Sequence, residues 1–165
     1  MQYLAVIERR EKEYARRIED MTEGMADKII ADAVAATMPP IRTLAAPGTP
    51  VDVAHTYAEF AGVCPMTGLP DNYHLVIRYR TGKAMPELKS LRDYLLAFRQ
   101  LPITHEHVAQ KLAAELTGLL GVPVHISLTA AVRGGITTTV EAVVGEEGPR
   151  AAPDGSSSAP GGLPR

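Results

Sequence analysis

The chain has 165 residues, 45% hydrophobic and 22% charged, with a formal net charge of −2. That length allows one domain with a buried core, and the slightly acidic balance lacks the basic footprint of a dedicated nucleic-acid binder. No apolar run nears the roughly 20 residues of a membrane span, and no secretory segment opens the chain. With a single cysteine, Cys64, the composition predicts a cytoplasmic protein without a membrane or direct nucleic-acid partner.

Leu4, Ile7, Tyr14, Ile18, Met21 and Met25 recur in steps of three, four or seven, which predicts one N-terminal helix over 1–34. Its stripe suits either a partner helix or the helix's own domain, and Gly24 is a weak point within it. Paired prolines at Pro39–Pro40 and the Pro47–Pro50 stretch then mark 35–50 as a linker.

Residues 51–144 read as the folded module. Val51, Val53, His55 and Tyr57 alternate with smaller or polar residues, as do Tyr73, Leu75, Ile77 and Tyr79. Period-two patterning of this kind predicts two strands, connected as an antiparallel pair by the loop that carries Cys64. Leu88, Leu91, Leu95 and Phe98 have helical spacing over 87–100, and a second helix is predicted over 105–120 with Thr104 as N-cap. Alternation returns at Val124, Ile126 and Leu128 and again over 136–144, after a turn at Arg133-Gly134-Gly135. The order β-β-α-α-β-β predicts an α+β fold: an antiparallel sheet with two helices on one face, preceded by the N-terminal helix. The Gly-, Pro-, Ala- and Ser-rich stretch over 145–165 is expected to be disordered, because it has too little apolar surface to offset its ordering entropy.

The segment around Cys64 runs Cys64-Pro65-Met66-Thr67-Gly68-Leu69-Pro70-Asp71. A lone thiol is either a small buried hydrophobe or a nucleophile whose proton a nearby base removes. Asp71 is either a turn former after Pro70 or a proton-transfer group. His105 and Glu106 open a helix, where the carboxylate either complements the helix dipole or accepts from paired N–H donors of a ligand. Glu87-Leu88-Lys89-Ser90-Leu91-Arg92 is a charged helix start, and Arg133-Gly134 is either a hairpin turn or a close backbone approach to a phosphate. Adjacent histidines at 105 and 107 point in different directions, so no metal site is predicted.

Taken in this order, these motifs resemble the QueF family, the NADPH-dependent 7-cyano-7-deazaguanine reductases of queuosine biosynthesis. The similarity covers about residues 57–140: Glu59-Phe60 with the Cys64–Asp71 loop, Glu87–Arg92 with Tyr94, Phe98-Arg99 before His105-Glu106, and Arg133-Gly134-Gly135-Ile136. It implies the tunnelling fold, and a homo-oligomer with active sites between subunits. It also implies a small-molecule deazapurine nitrile as substrate and NADPH as cofactor. By the same resemblance Cys64 is the nucleophile that forms a thioimide, Asp71 the proton donor and His105 an orienting catalytic group. Glu87, Leu88, His105 and Glu106 would bind substrate, and Lys89, Ser90, Arg133 and Gly134 would contact NADPH.

The chain departs from the family pattern at three positions. Arg92 stands where lysine is usual, Asp93 where an apolar residue is common, and Thr104 where an aromatic ordinarily precedes the His-Glu pair. Three other functions share parts of this pattern. An amidine-forming relative acts on the same nitrile but lacks the NADPH stretch. A non-catalytic ligand-binding protein of the same fold would keep the loop without turnover. A cyclohydrolase-like enzyme would want zinc ligands that one cysteine fits poorly.

Overall fold

The computed structural model describes residues 24–132 and 135–145, together with Arg9, Lys12, Glu13, Ala15 and Arg16. Helix α1 spans Met25–Ala35, strand β1 Thr43–Ala45, β2 Asp52–Val63, β3 Pro70–Arg80 and β4 Ala84–Pro86. Helix α2 spans Leu88–Ala97 and continues as a 3-10 turn over Phe98–Gln100; α3 spans His105–Leu120, β5 Val124–Ala130 and β6 Thr139–Val144. The main sheet is antiparallel throughout, in the order β2-β3-β5-β6. Helices α2 and α3 both lie between β3 and β5 in sequence, as the β-β-α-α-β-β reading expects.

Alternation decides which face is buried. Leu75, Ile77 and Tyr79 of β3 and Val124, Ile126 and Leu128 of β5 are all at most 2% exposed. They meet Leu91, Leu95 and Phe98 from the α2 region and Val108, Leu112 and Leu116 from α3. Removing each such side chain from water is worth roughly 1.5–3 kcal/mol, which fixes the helices to this face of the sheet. The other face carries the intervening, more polar residues.

Three features differ in detail from the sequence reading. Strand β2 runs on to Val63 because a bulge between Tyr57 and Phe60 shifts its register against β3. The extra residue breaks the alternation and turns Tyr57 and Phe60 to the same side, with ring centroids 6.3 Å apart. Helix α1 begins at Gly24, whose φ of +88° is left-handed, so the helix expected over 1–34 does not run unbroken through it. Most of 1–23, and all of the expected tail except Gly145, lie outside the described residues.

The third difference is in the 35–50 segment, which carries β1 paired antiparallel with β4. This pairing brings Arg42 to the start of α2, where its N–H donates to Ser90 Oγ at 3.0 Å and its carbonyl accepts from Glu87 N–H at 2.8 Å. Helix α1 is held from the other side by Lys111 of α3, whose Nζ donates to Val34 O at 2.7 Å. A cation at a helix C-terminus satisfies open carbonyls and complements the dipole. The Lys111 ammonium also pairs with Glu115 at 2.6 Å, and Glu115 accepts from the Tyr94 hydroxyl at 2.6 Å.

Candidate active site

The Cys64 loop is a six-residue connection between β2 and β3, closed by backbone bonds. Cys64 N–H donates to Leu69 O at 2.9 Å, and Cys64 O accepts from Gly68 N–H at 2.8 Å. Gly68 has φ +70°, a conformation that glycine adopts without a Cβ penalty. Thr67 Oγ1 accepts from Leu69 N–H at 3.2 Å. The base of the loop is tied to the segment before α3, since Val63 N–H donates to Leu101 O and Ile103 N–H to Val63 O. That pairing carries His105 to the thiol's side of the molecule.

Cys64 is half-buried and opens onto a cavity of about 450 Å³ that Asp71, Tyr73, Thr104 and His105 also line. Asp71 is half-buried near the start of β3, opposite Gly62. Ala131 and Val132 just after β5 and Ile136 and Thr138 before β6 close the far side. The rim is apolar and open to solvent: Met66 is 39% exposed, Val132 66% and Ile136 69%. Three of the sequence-predicted residues, Cys64, Asp71 and His105, therefore converge in one cavity.

Glu106, next to His105, is largely exposed; His105 Nε2 and Glu106 Oε1 are 3.1 Å apart. Burial pushes the Glu106 carboxyl up. Its own backbone N–H, the Thr104 hydroxyl and the neighbouring His105 and His107 outweigh that and hold it below the usual carboxylate value. Glu106 stays an anionic acceptor at the N-terminus of α3, beside the cavity. Thr104 Oγ1 lies 2.7 Å from His107 Nδ1, so the N-cap residue also fixes the second histidine.

Glu87, Leu88, Lys89 and Ser90 do not line this cavity. Leu88, 62% exposed, borders a separate depression of about 370 Å³ with His55, Tyr57 and Arg92. Glu87 is the N-cap of α2, and its carboxylate accepts from Lys89 N–H at 2.8 Å and Ser90 N–H at 2.9 Å. Ser90 is buried, and its hydroxyl donates to Glu87 O at 2.9 Å while accepting from Arg42 N–H at 3.0 Å. Lys89 is exposed, but Asp93, one of the departures in sequence, holds its ammonium at 2.7 Å. Of the residues expected to meet NADPH, Lys89 fits a phosphate in charge and exposure, whereas the Ser90 hydroxyl is committed to the fold. Arg133 and Gly134 lie outside the described residues.

The two backbone bonds hold the Glu87 carboxyl down to about 2. A carboxyl lowered on folding contributes stability that is full above its ordinary value of 4.5 and lost as the pH falls toward about 2. Urea titrations should therefore show Glu87→Gln less stable than the parent at neutral pH, with the gap closing across that acid window. A gap independent of pH would mean that the charge on Glu87 does not support the cap.

Sequence reasoning missed Tyr73, Met66 and the Ala130–Val132 wall. Tyr73 was legible in part: it lies two residues beyond Asp71 on the same strand, so both project to one face.

Comparison with known proteins bears on the same residues. The family profile described as QueF-like protein matches residues 70–149, a span that includes Asp71 and His105 but begins after Cys64. The chain is 42% identical over 102 residues to the NADPH-dependent 7-cyano-7-deazaguanine reductase of Anaeromyxobacter sp. (strain K), covering 61% of this chain and 83% of that protein. It is 46% identical over 84 residues to the protein of that name from Chlorobium phaeobacteroides (strain BS1), covering 50% of this chain and 70% of the relative. Among solved structures, that of the archaeosine synthase QueF-Like in the apo form has the same fold. It superposes with a TM-score of 0.51 at 17% identity, covering 59% of this chain and 95% of that one. A chain this similar to most of the length of a named reductase, and matched from the Asp71 strand onward by the family's own profile, belongs to the QueF family.

Proposed function

We propose that this chain reduces the nitrile of 7-cyano-7-deazaguanine to the primary amine 7-aminomethyl-7-deazaguanine with NADPH, a step of queuosine biosynthesis. The observation that carries this reading is the meeting of Cys64, Asp71 and His105 in one cavity, in a chain whose family relatives bear that activity in their names. An NADPH-dependent step and an unpaired thiol both suit a reducing, cytoplasmic setting.

In the proposed mechanism the Cys64 sulfur attacks the nitrile carbon, forming the S–C bond of a thioimide as the C≡N bond loses one π component. Asp71 supplies the proton that the nitrile nitrogen takes up. His105 orients the substrate and intermediate, and the Glu106 carboxylate accepts hydrogen bonds from the N–H edge of the deazaguanine. Bound NADPH supplies hydride, and two equivalents balance nitrile against amine. Between the two reductions the S–C bond breaks, returning the Cys64 thiolate. Lys89, with Arg133 and Gly134, would hold the cofactor.

Glu87 and Leu88 are expected at the substrate yet lie away from the cavity of their own chain. We therefore propose that the start of α2 from one subunit completes the cavity of another in a homo-oligomer. The exposed Leu88 and the apolar rim at Met66, Val132 and Ile136 suit such an interface.

One observation favours a second reading. The Lys89–Asp93 ion pair competes for the cation that would otherwise meet a cofactor phosphate, which suits the amidine-forming or ligand-binding alternatives. The deciding experiment incubates the protein with 7-cyano-7-deazaguanine, with and without NADPH, and follows intact mass and NADPH absorbance. An adduct on Cys64 without NADPH, followed by oxidation of two NADPH per amine, is the expected result. An adduct with no NADPH oxidation would refute reduction and leave the alternatives.

A further inference from the structure

His105 sits at the first position of α3 with a third of its side chain exposed, and its polar neighbour Glu106 is more exposed still. A contact between two such exposed groups is a weak restraint on an imidazole ring. The rigid contact comes from a buried ring. The Tyr73 and His105 rings meet in a T-shaped contact with centroids 6.4 Å apart and planes at 61°, a favourable aromatic arrangement. Tyr73 is 3% exposed and is itself backed by other rings. Phe60 lies 5.8 Å from it, Phe98 lies 5.3 Å from Phe60, and Tyr94 lies 5.6 Å from Phe98. Phe60, Phe98 and Tyr94 are at most 2% exposed.

These rings come from β2, β3 and the α2 region, so they are fixed by the packing of the whole helix-covered face. Both the thiol loop and the histidine meet this core, since Phe60 lies on β2 just before the Cys64 loop and Tyr73, which follows Asp71 on β3, contacts His105. Among the described residues, Tyr73 and His105 are the only aromatic side chains lining the cavity.

We propose that Tyr73 is a positioning residue, the buried end of an aromatic row that sets the orientation of the His105 imidazole toward Cys64 and Asp71. The inference rests on the reductase reading for its effect on rate, but not for the contact itself. A catalytic group displaced by a fraction of an ångström loses rate through geometry rather than through substrate affinity. Tyr73→Phe keeps the ring and Tyr73→Leu removes it.

The Leu variant should lower kcat by about tenfold to hundredfold, with KM changed far less, and should move the His105 ring-proton resonances. The Phe variant should leave both near the parent. In the parent protein, magnetisation transfer between the Tyr73 and His105 ring protons should be observed, which holds even if the Leu variant fails to fold. A folded Leu variant with parental kcat and unmoved His105 resonances would overturn the proposal, as would absence of that transfer. If the parent forms no adduct with the nitrile, the reductase reading fails, and the His105 resonances alone decide Tyr73.

Discussion

Cys64→Ala should form no covalent adduct with 7-cyano-7-deazaguanine and should lose turnover by at least about four orders of magnitude. The reason is chemical rather than structural. A nitrile carbon is a poor acceptor of hydride until an addition converts it to a C=N centre, and the sulfur at position 64 is the atom proposed to make that addition. The fold should tolerate the change. The bonds that close the loop, Cys64 N–H to Leu69 O and Gly68 N–H to Cys64 O, are made by the backbone, so alanine keeps them. The variant should therefore melt close to the parent, which makes the loss of rate interpretable. Cys64→Ser is the companion measurement: the hydroxyl occupies the same place but is a far weaker nucleophile, so it too should give no adduct mass. Turnover surviving in a folded Cys64→Ala protein would refute the covalent mechanism outright.

The sheet was legible because burial on one face imposes a period of two. Tyr73, Leu75, Ile77 and Tyr79 repeat without interruption and lie on the core face as expected. Strand β2 was legible only to Ala58, because the bulge between Tyr57 and Phe60 moves the buried positions by one residue and ends the visible alternation. Strands β1 and β4 have three residues each, too few for any period to show. Their pairing links Thr43 with Pro86, a long-range contact that nothing local in the sequence specifies.

The site divides along the same line. Cys64 and Asp71 were legible through a contiguous motif, and His105 through its place at a helix start. Glu87 and Ser90 illustrate the limit. Their residue types suit ligands, but the same carboxylate and hydroxyl also suit an N-cap. The structure uses them for that, with Arg42 arriving from 45 and 48 residues away. Tyr73 was legible only in part, for a different reason. An aromatic at a core-facing strand position reads as packing, and its second role depends on what α3 sets against it.

Asp71→Asn separates proton supply from shape. Asp71 lies opposite Gly62 at the end of the β2–β3 ladder, half-buried against the cavity. Asparagine fills nearly the same volume there and leaves the ladder's backbone bonds in place. What it cannot do is deliver a carboxyl proton to the nitrile nitrogen as the S–C bond forms. Loss of a positioned general acid typically costs about 10²–10⁴-fold, and the loss should fall on two measurable steps. Adduct formation followed by mass without NADPH should slow, because the nitrogen of the nascent thioimide must then draw its proton from water. NADPH oxidation should slow at least as much, since the nitrogen needs a further proton as hydride arrives. Thermal stability should stay near that of the parent, and the Cys64 adduct should still accumulate given time, in contrast to Cys64→Ala, where it never forms. Adduct formation and turnover at the parental rate in Asp71→Asn would remove Asp71 from the chemistry and shift the search for the acid to His105.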